Sequence, residues 1–123
     1  MAATTYFFAF RMLEDAGFKG RLRVVPQDDE GMDVDYLRQE LTRAEVLASS
    51  GPIIDPTSKP SPEYPKIYRH LIYAVPTFSN PTSLTMSLDR RQRLVRVARE
   101  FNALIITNNV YDFLQWAANP YQT

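Results

Sequence analysis

The sequence contains no cysteine. That absence excludes disulfide staples and thiolate metal sites, and it suits a reducing compartment, so a cytoplasmic location is expected. Its one histidine, His70, cannot build a multi-histidine metal centre, and no metal is expected. An excess of either charge is also missing, since 14 lysines and arginines balance 14 aspartates and glutamates. No long-range field then draws the chain to nucleic acid or to an anionic membrane, and neither partner is expected. No stretch reaches the roughly 18 consecutive apolar residues of a membrane span. The apolar start, residues 1–10, has no basic residue before it and makes a poor signal peptide.

What is present is an ordinary globular composition. Of 123 residues, 45% are hydrophobic and 23% charged, enough for one core. Residues 6–16 read as a helix, with Phe7, Phe10 and Leu13 on one face and Gly17 placed to cap its end. Residues 21–26 read as a short strand, because Val24 and Val25 are β-branched and Pro26 stops the run. Asp33 is an N-cap candidate for a helix over 34–47, where Leu37, Leu41 and Ala44 recur at helical spacing. Residues 48–64 carry Pro52, Pro56, Pro60 and Pro62 and read as a loop. It is not a domain boundary, since neither flank could bury a core alone.

Beyond the loop, residues 71–75 form a buried-strand pattern and 76–83 a turn-rich connection. Ser87 is an N-cap with Asp89 in the following turn, and the helix runs to Phe101 with Leu94, Ala98 and Phe101 inward. Its arginines fall mostly on the other sides. Asn102 ends it. Residues 103–107 form another buried strand, broken by Asn108 and Asn109, and 111–116 open a further short element. Strands alternating with helices predict an α/β fold with a mostly parallel sheet. The first helix lacks a preceding strand and the last strand a covering helix, so both ends are expected to continue in a larger domain with open sheet edges.

Ligands of open parallel sheets sit beyond the carboxyl ends of the strands. Two such ends carry polar clusters, Val75-Pro-Thr-Phe-Ser-Asn-Pro-Thr82 and Asn108-Asn-Val-Tyr111. Singly, each is ordinary turn chemistry. Together with Met86-Ser-Leu-Asp-Arg-Arg-Gln-Arg-Leu94 between them, they resemble the heart of the class I/II aminotransferases. That family shows an Asn-Pro-Thr-Gly turn, a Ser-x-x-Arg-Arg-x-x-Leu helix and a strand ending in Asp-x-x-Tyr. Thr5-Tyr6 with Glu14-Asp-Ala-Gly17, then Val25-Pro with Asp28 and Gly31, match upstream segments in the same order. The wording Met-Ser-x-x-Arg-Arg is nearest the aromatic/2-aminoadipate branch.

The resemblance implies that residues 1–123 are part of the large domain of a fold-type-I transferase, a three-layer αβα domain that binds pyridoxal 5'-phosphate (PLP). It implies amino acid and 2-oxo acid substrates and a homodimer. Asn80 and Tyr111 would hydrogen-bond the phenolic oxygen of PLP, favouring its ionised form. Tyr6 would stack on the ring. Asn108 stands where the family has the carboxylate that keeps the pyridine nitrogen protonated, and a neutral amide cannot do so by charge. Ser83 replaces the glycine of the Asn-Pro-Thr-Gly turn. The lysines are Lys19, Lys59 and Lys66, none in the context of the family's Schiff-base lysine, so no catalytic residue is assigned and no transamination is expected from these residues alone. The alternatives are a degenerate non-catalytic remnant and a PLP-sensing module.

Overall fold

The computed structural model describes residues 7–50, 63, 66–79 and 82–114. Helix α1, Phe7–Leu13, runs into one wide turn, Glu14–Phe18, inside which Gly17 turns left-handed at φ 96°. Glycine takes that conformation without the Cβ clash that penalises other residues. Helix α2 spans Val34–Ser50. Asp33 caps it, its carboxylate accepting the Tyr36 N–H at 2.9 Å. The helix takes in residues 48–50, which sequence reasoning gave to the loop. No proline occurs between Pro26 and Pro52, so the backbone of α2 stays free to continue.

Strand pairing corrects one expectation. Residues 21–26 do not form a strand; only Val25 makes an isolated bridge. Two short strands, β1 (Gln27–Asp28) and β2 (Gly31–Met32), pair antiparallel just beyond it. The β-branched valines were read as ladder residues, but Val25 is instead anchored by burial in the core.

Strand β3, His70–Ala74, and strand β4, Ala103–Thr107, pair in parallel, with Ala74 opposite Thr107. Helix α3, Leu88–Glu100, lies between them in sequence. The Ser87 hydroxyl caps it by accepting the Arg90 N–H at 3.2 Å. Asn102 ends it in the left-handed region, φ 51°, which asparagine tolerates better than most residues.

Alternation along β3 divides the core. Ile72 and Ala74 join Val25, Met32, Val34, Leu37 and Leu41 of the α2 side and Leu94, Val97 and Ala98 of α3. Tyr73 and Val75 point the other way, to Ala9 and Leu13 of α1. The described residues therefore form three layers, with α1 on one face of the parallel pair and α2 and α3 on the other. Met32 and Ile72 are among the largest fully buried side chains. Burying a side chain of that size contributes roughly 1.5–3 kcal/mol. Among the described residues, no helix is long and apolar enough to cross a membrane.

Arg90 departs from the expectation that the arginines of α3 face outward. Its side chain is 8% exposed, and it donates to the Met32 carbonyl at 2.7 Å, to Asp28 at 2.8 Å and to Glu30 at 3.1 Å. The β1–β2 turn is thereby tied to the first turn of α3. The Arg90 hydrogen bond holds the Asp28 carboxyl below its ordinary pKa, helped by the Glu30 backbone N–H. Gly31, at φ 106°, sits so close to Met86 that a Cβ would meet the Met86 side chain at 3.3 Å.

A depressed carboxylate pKa stabilises the fold above its unfolded value and loses that effect as pH falls through the folded value. Urea midpoints should therefore show Asp28→Asn less stable than the parent chain at neutral pH, the gap closing below about pH 4. A gap that persists in acid would remove the Asp28–Arg90 pair as its source. Two backbone substitutions should have opposite signs. Gly31→Ala should destabilise by about 1–2 kcal/mol, from its positive φ and the Met86 contact. Ser83→Gly should stabilise by up to about 1 kcal/mol, because Ser83 holds φ 58°.

Candidate functional site

The parallel register brings the carboxyl ends of β3 and β4 to one edge. The ladder continues one step past β4, where the Asn108 N–H donates to the Ala74 carbonyl at 3.0 Å. The chain leaving β3 passes through Val75 and Pro76 into the buried Thr77 and Ser79. The chain leaving β4 passes through Asn108 to Tyr111 and a short 3-10 turn, Asp112–Leu114. Asn108 and Tyr111 are both half-buried at this edge. Tyr6 and Asn80 lie outside the described residues.

The connection from β3 to α3 is held at its base. Met86 N–H donates to the Pro76 carbonyl at 2.7 Å, and Ser79 N–H to the Leu84 carbonyl at 2.9 Å. Arg91 of α3 clamps both sides. It donates to the Met86 carbonyl at 2.9 Å, to the Pro76 carbonyl at 3.0 Å and to the Thr77 hydroxyl at 3.2 Å. Planar guanidinium donors suit such a multiple contact better than an ammonium would. Phe78 and Ser83 both carry positive φ here, 45° and 58°. Ser83 therefore adopts the left-handed conformation that a glycine would take without strain.

The Asn108 side chain makes two contacts. Its oxygen accepts the Val110 N–H at 3.4 Å, and its Nδ2 donates to the Tyr73 hydroxyl at 3.4 Å. Sequence reasoning gave no site role to Tyr73 and took Arg91 only as part of the Ser-x-x-Arg-Arg motif. Strand alternation could have found Tyr73, which shares a face with Val75. Arg91 stands at helical spacing four residues after the Ser87 cap, a position that returns toward the preceding loop.

An apolar groove of about 430 Å³ lies elsewhere, along Leu13, Val25, Leu37, Leu41 and the amino end of β3 at His70. It borders the core rather than the carboxyl edge. Open parallel sheets bind ligands at the carboxyl edge, so that edge is the candidate site.

Comparison with known proteins bears on the family. No family model matches the chain. An uncharacterised protein of Saccharomyces cerevisiae is 35% identical over 113 residues, which cover 91% of this chain and 25% of that protein. Aromatic-amino-acid aminotransferase 1 of Thermococcus litoralis is 32% identical over 96 residues, covering 78% of this chain and 19% of that enzyme. Among solved structures, a Pyrococcus horikoshii kynurenine aminotransferase, crystallised with PMP, superposes with a TM-score of 0.64 at 28% identity. The match covers 97% of this chain and 24% of that one. The chain spans about a quarter or less of the length of these proteins. With this order of elements, this parallel pair and these relatives, the chain belongs to the fold-type-I PLP-dependent aminotransferases.

Proposed function

We propose that this chain supplies the middle of the PLP ring site of an aminotransferase acting between an amino acid and a 2-oxo acid, in a cytoplasmic, homodimeric protein. One observation carries the reading. The parallel ladder ends at a half-buried amide, Asn108, three residues before Tyr111, on the edge to which the clamped Pro76–Met86 connection also leads. The amide nitrogen has two hydrogens. One goes to Tyr73, and among the described residues no acceptor takes the other. A donor held at the sheet edge fits a ring nitrogen.

In this reading Asn108 donates to the ring nitrogen, and the Tyr111 hydroxyl and the Asn80 amide donate to the phenolic oxygen. Tyr6 lies against the ring face. Donors on the phenolic oxygen favour its ionised form. Bound PLP supplies an electron sink for bonds at the α-carbon of the amino acid. The chain's own groups hold and orient the ring; none of them is assigned to move the α-proton. Lys66 lies before the amino end of β3, its ammonium 4.7 Å from the centre of the Tyr68 ring. A five-residue strand, about 16 Å of extended chain, separates that end from Asn108. Residues 1–123 by themselves then bind PLP without a covalent bond and do not transaminate. Asn108 in place of a carboxylate favours a second reading, a PLP-binding remnant without catalysis.

Titration of the chain with PLP, followed by the absorbance of the ring, should show saturable binding. Tyr111→Phe and Asn80→Ala should each weaken it roughly two- to tenfold, as expected for one hydrogen bond of about 0.5–1.5 kcal/mol. Unchanged affinity in both variants would remove these residues from the site. Borohydride treatment of the mixture should leave no single lysine stoichiometrically modified. A peptide map with one fully modified lysine would overturn non-covalent binding.

A further inference from the structure

The orientation of the Asn108 amide carries a consequence for the ligand. A backbone N–H can only donate, so the Val110 N–H fixes the amide oxygen on its own side, at 3.4 Å. The nitrogen then faces the Tyr73 hydroxyl, also at 3.4 Å. The hydroxyl can accept or donate and suits either orientation of the amide, so the Val110 N–H is the contact that selects this one. A flipped amide would turn its NH₂ toward the Val110 N–H, two donors face to face. Tyr73 is 9% exposed and packed against Ala9 and Val75, so its hydroxyl is held by its ring.

This arrangement presents donors to the edge. The free hydrogen of Asn108 Nδ2 is one, and the Tyr73 hydroxyl, accepting from Asn108, retains its own hydrogen as a second. The amide oxygen is turned to the backbone. The only carboxylate in the segment from β4 to Leu114 is Asp112, which is exposed. A protonated ring nitrogen is itself a donor and would meet a donor here. An unprotonated ring nitrogen is an acceptor and finds its partner.

We infer that Asn108 binds the PLP ring in its unprotonated form, its amide oxygen held by the Val110 N–H and its nitrogen left to donate to the ring. The inference rests on the reading that this edge holds the PLP ring. A ring without that proton withdraws electrons less strongly, which suits binding more than transamination.

The test uses the whole chain mixed with PLP labelled with ¹⁵N at the ring nitrogen. The ¹⁵N chemical shift separates the protonated from the unprotonated ring directly. The bound signal should stand at the unprotonated position and stay there as pH is lowered through neutrality. Asn108→Asp, nearly isosteric, should move it to the protonated position. Loss of stability alone would not move that signal. A bound ring already protonated on the parent chain overturns the inference and leaves the ring site standing. Absence of saturable PLP binding removes the ring site, and the inference with it.

Discussion

Two strands that run in parallel cannot be joined by a tight turn. The chain must travel back along the sheet, and the connection needs a dozen or more residues. Between β3 and β4 that return is the Pro76–Met86 connection and α3. The ladder from His70↔Ala103 to Ala74↔Thr107 sets everything else. It places the exits of both strands on one edge, where Thr77, Ser79, Asn108 and Tyr111 gather. It also gives the sheet two faces, and the alternation of Ile72 and Ala74 with Tyr73 and Val75 assigns α1 to one and α2 and α3 to the other. An antiparallel pairing of the same strands would send one polar cluster to each end and leave no shared edge.

Two arginines of α3 convert that topology into a fixed geometry. Arg90 reaches across to the β1–β2 turn and is buried against the Met32 carbonyl, with Asp28 and Glu30 compensating its charge. A buried guanidinium left without such partners would be costly, so the acidic turn and the arginine depend on each other. Arg91 reaches the opposite way and holds both ends of the loop after β3. The loop thus keeps two non-glycine residues at positive φ, Phe78 and Ser83. Such strain persists where the surroundings over-determine the conformation, and it gathers at functional sites.

Helix α3 was legible to within a residue, because its cap, Ser87, and its inward positions Leu94 and Ala98 are local features. Strand β4 was legible as Ala103–Thr107 because Asn102 and Asn108 punctuate it. The antiparallel β1–β2 pair was missed. Its two-residue strands are too short to show a period, and they exist because Met32 is buried and Arg90 ties the turn. Of the proposed ring-site residues, Asn108 and Tyr111 are described at the same strand end, and Tyr6 and Asn80 lie outside the described residues.

The linear order of residues was sufficient for the helices, the two parallel strands, the caps at Asp33 and Ser87 and the family, because these depend on local spacing and on motifs in sequence. It also exposed Asn108 in place of a carboxylate. Tertiary structure alone decided that Arg90 is buried, that Arg91 clamps the loop, and that the Asn108 amide faces Tyr73. The reason is physical. A helix offers its arginines to several directions at similar spacing, and an amide has two orientations of similar energy. Only the neighbours that folding brings near, a carbonyl, a backbone N–H or a buried hydroxyl, select between them.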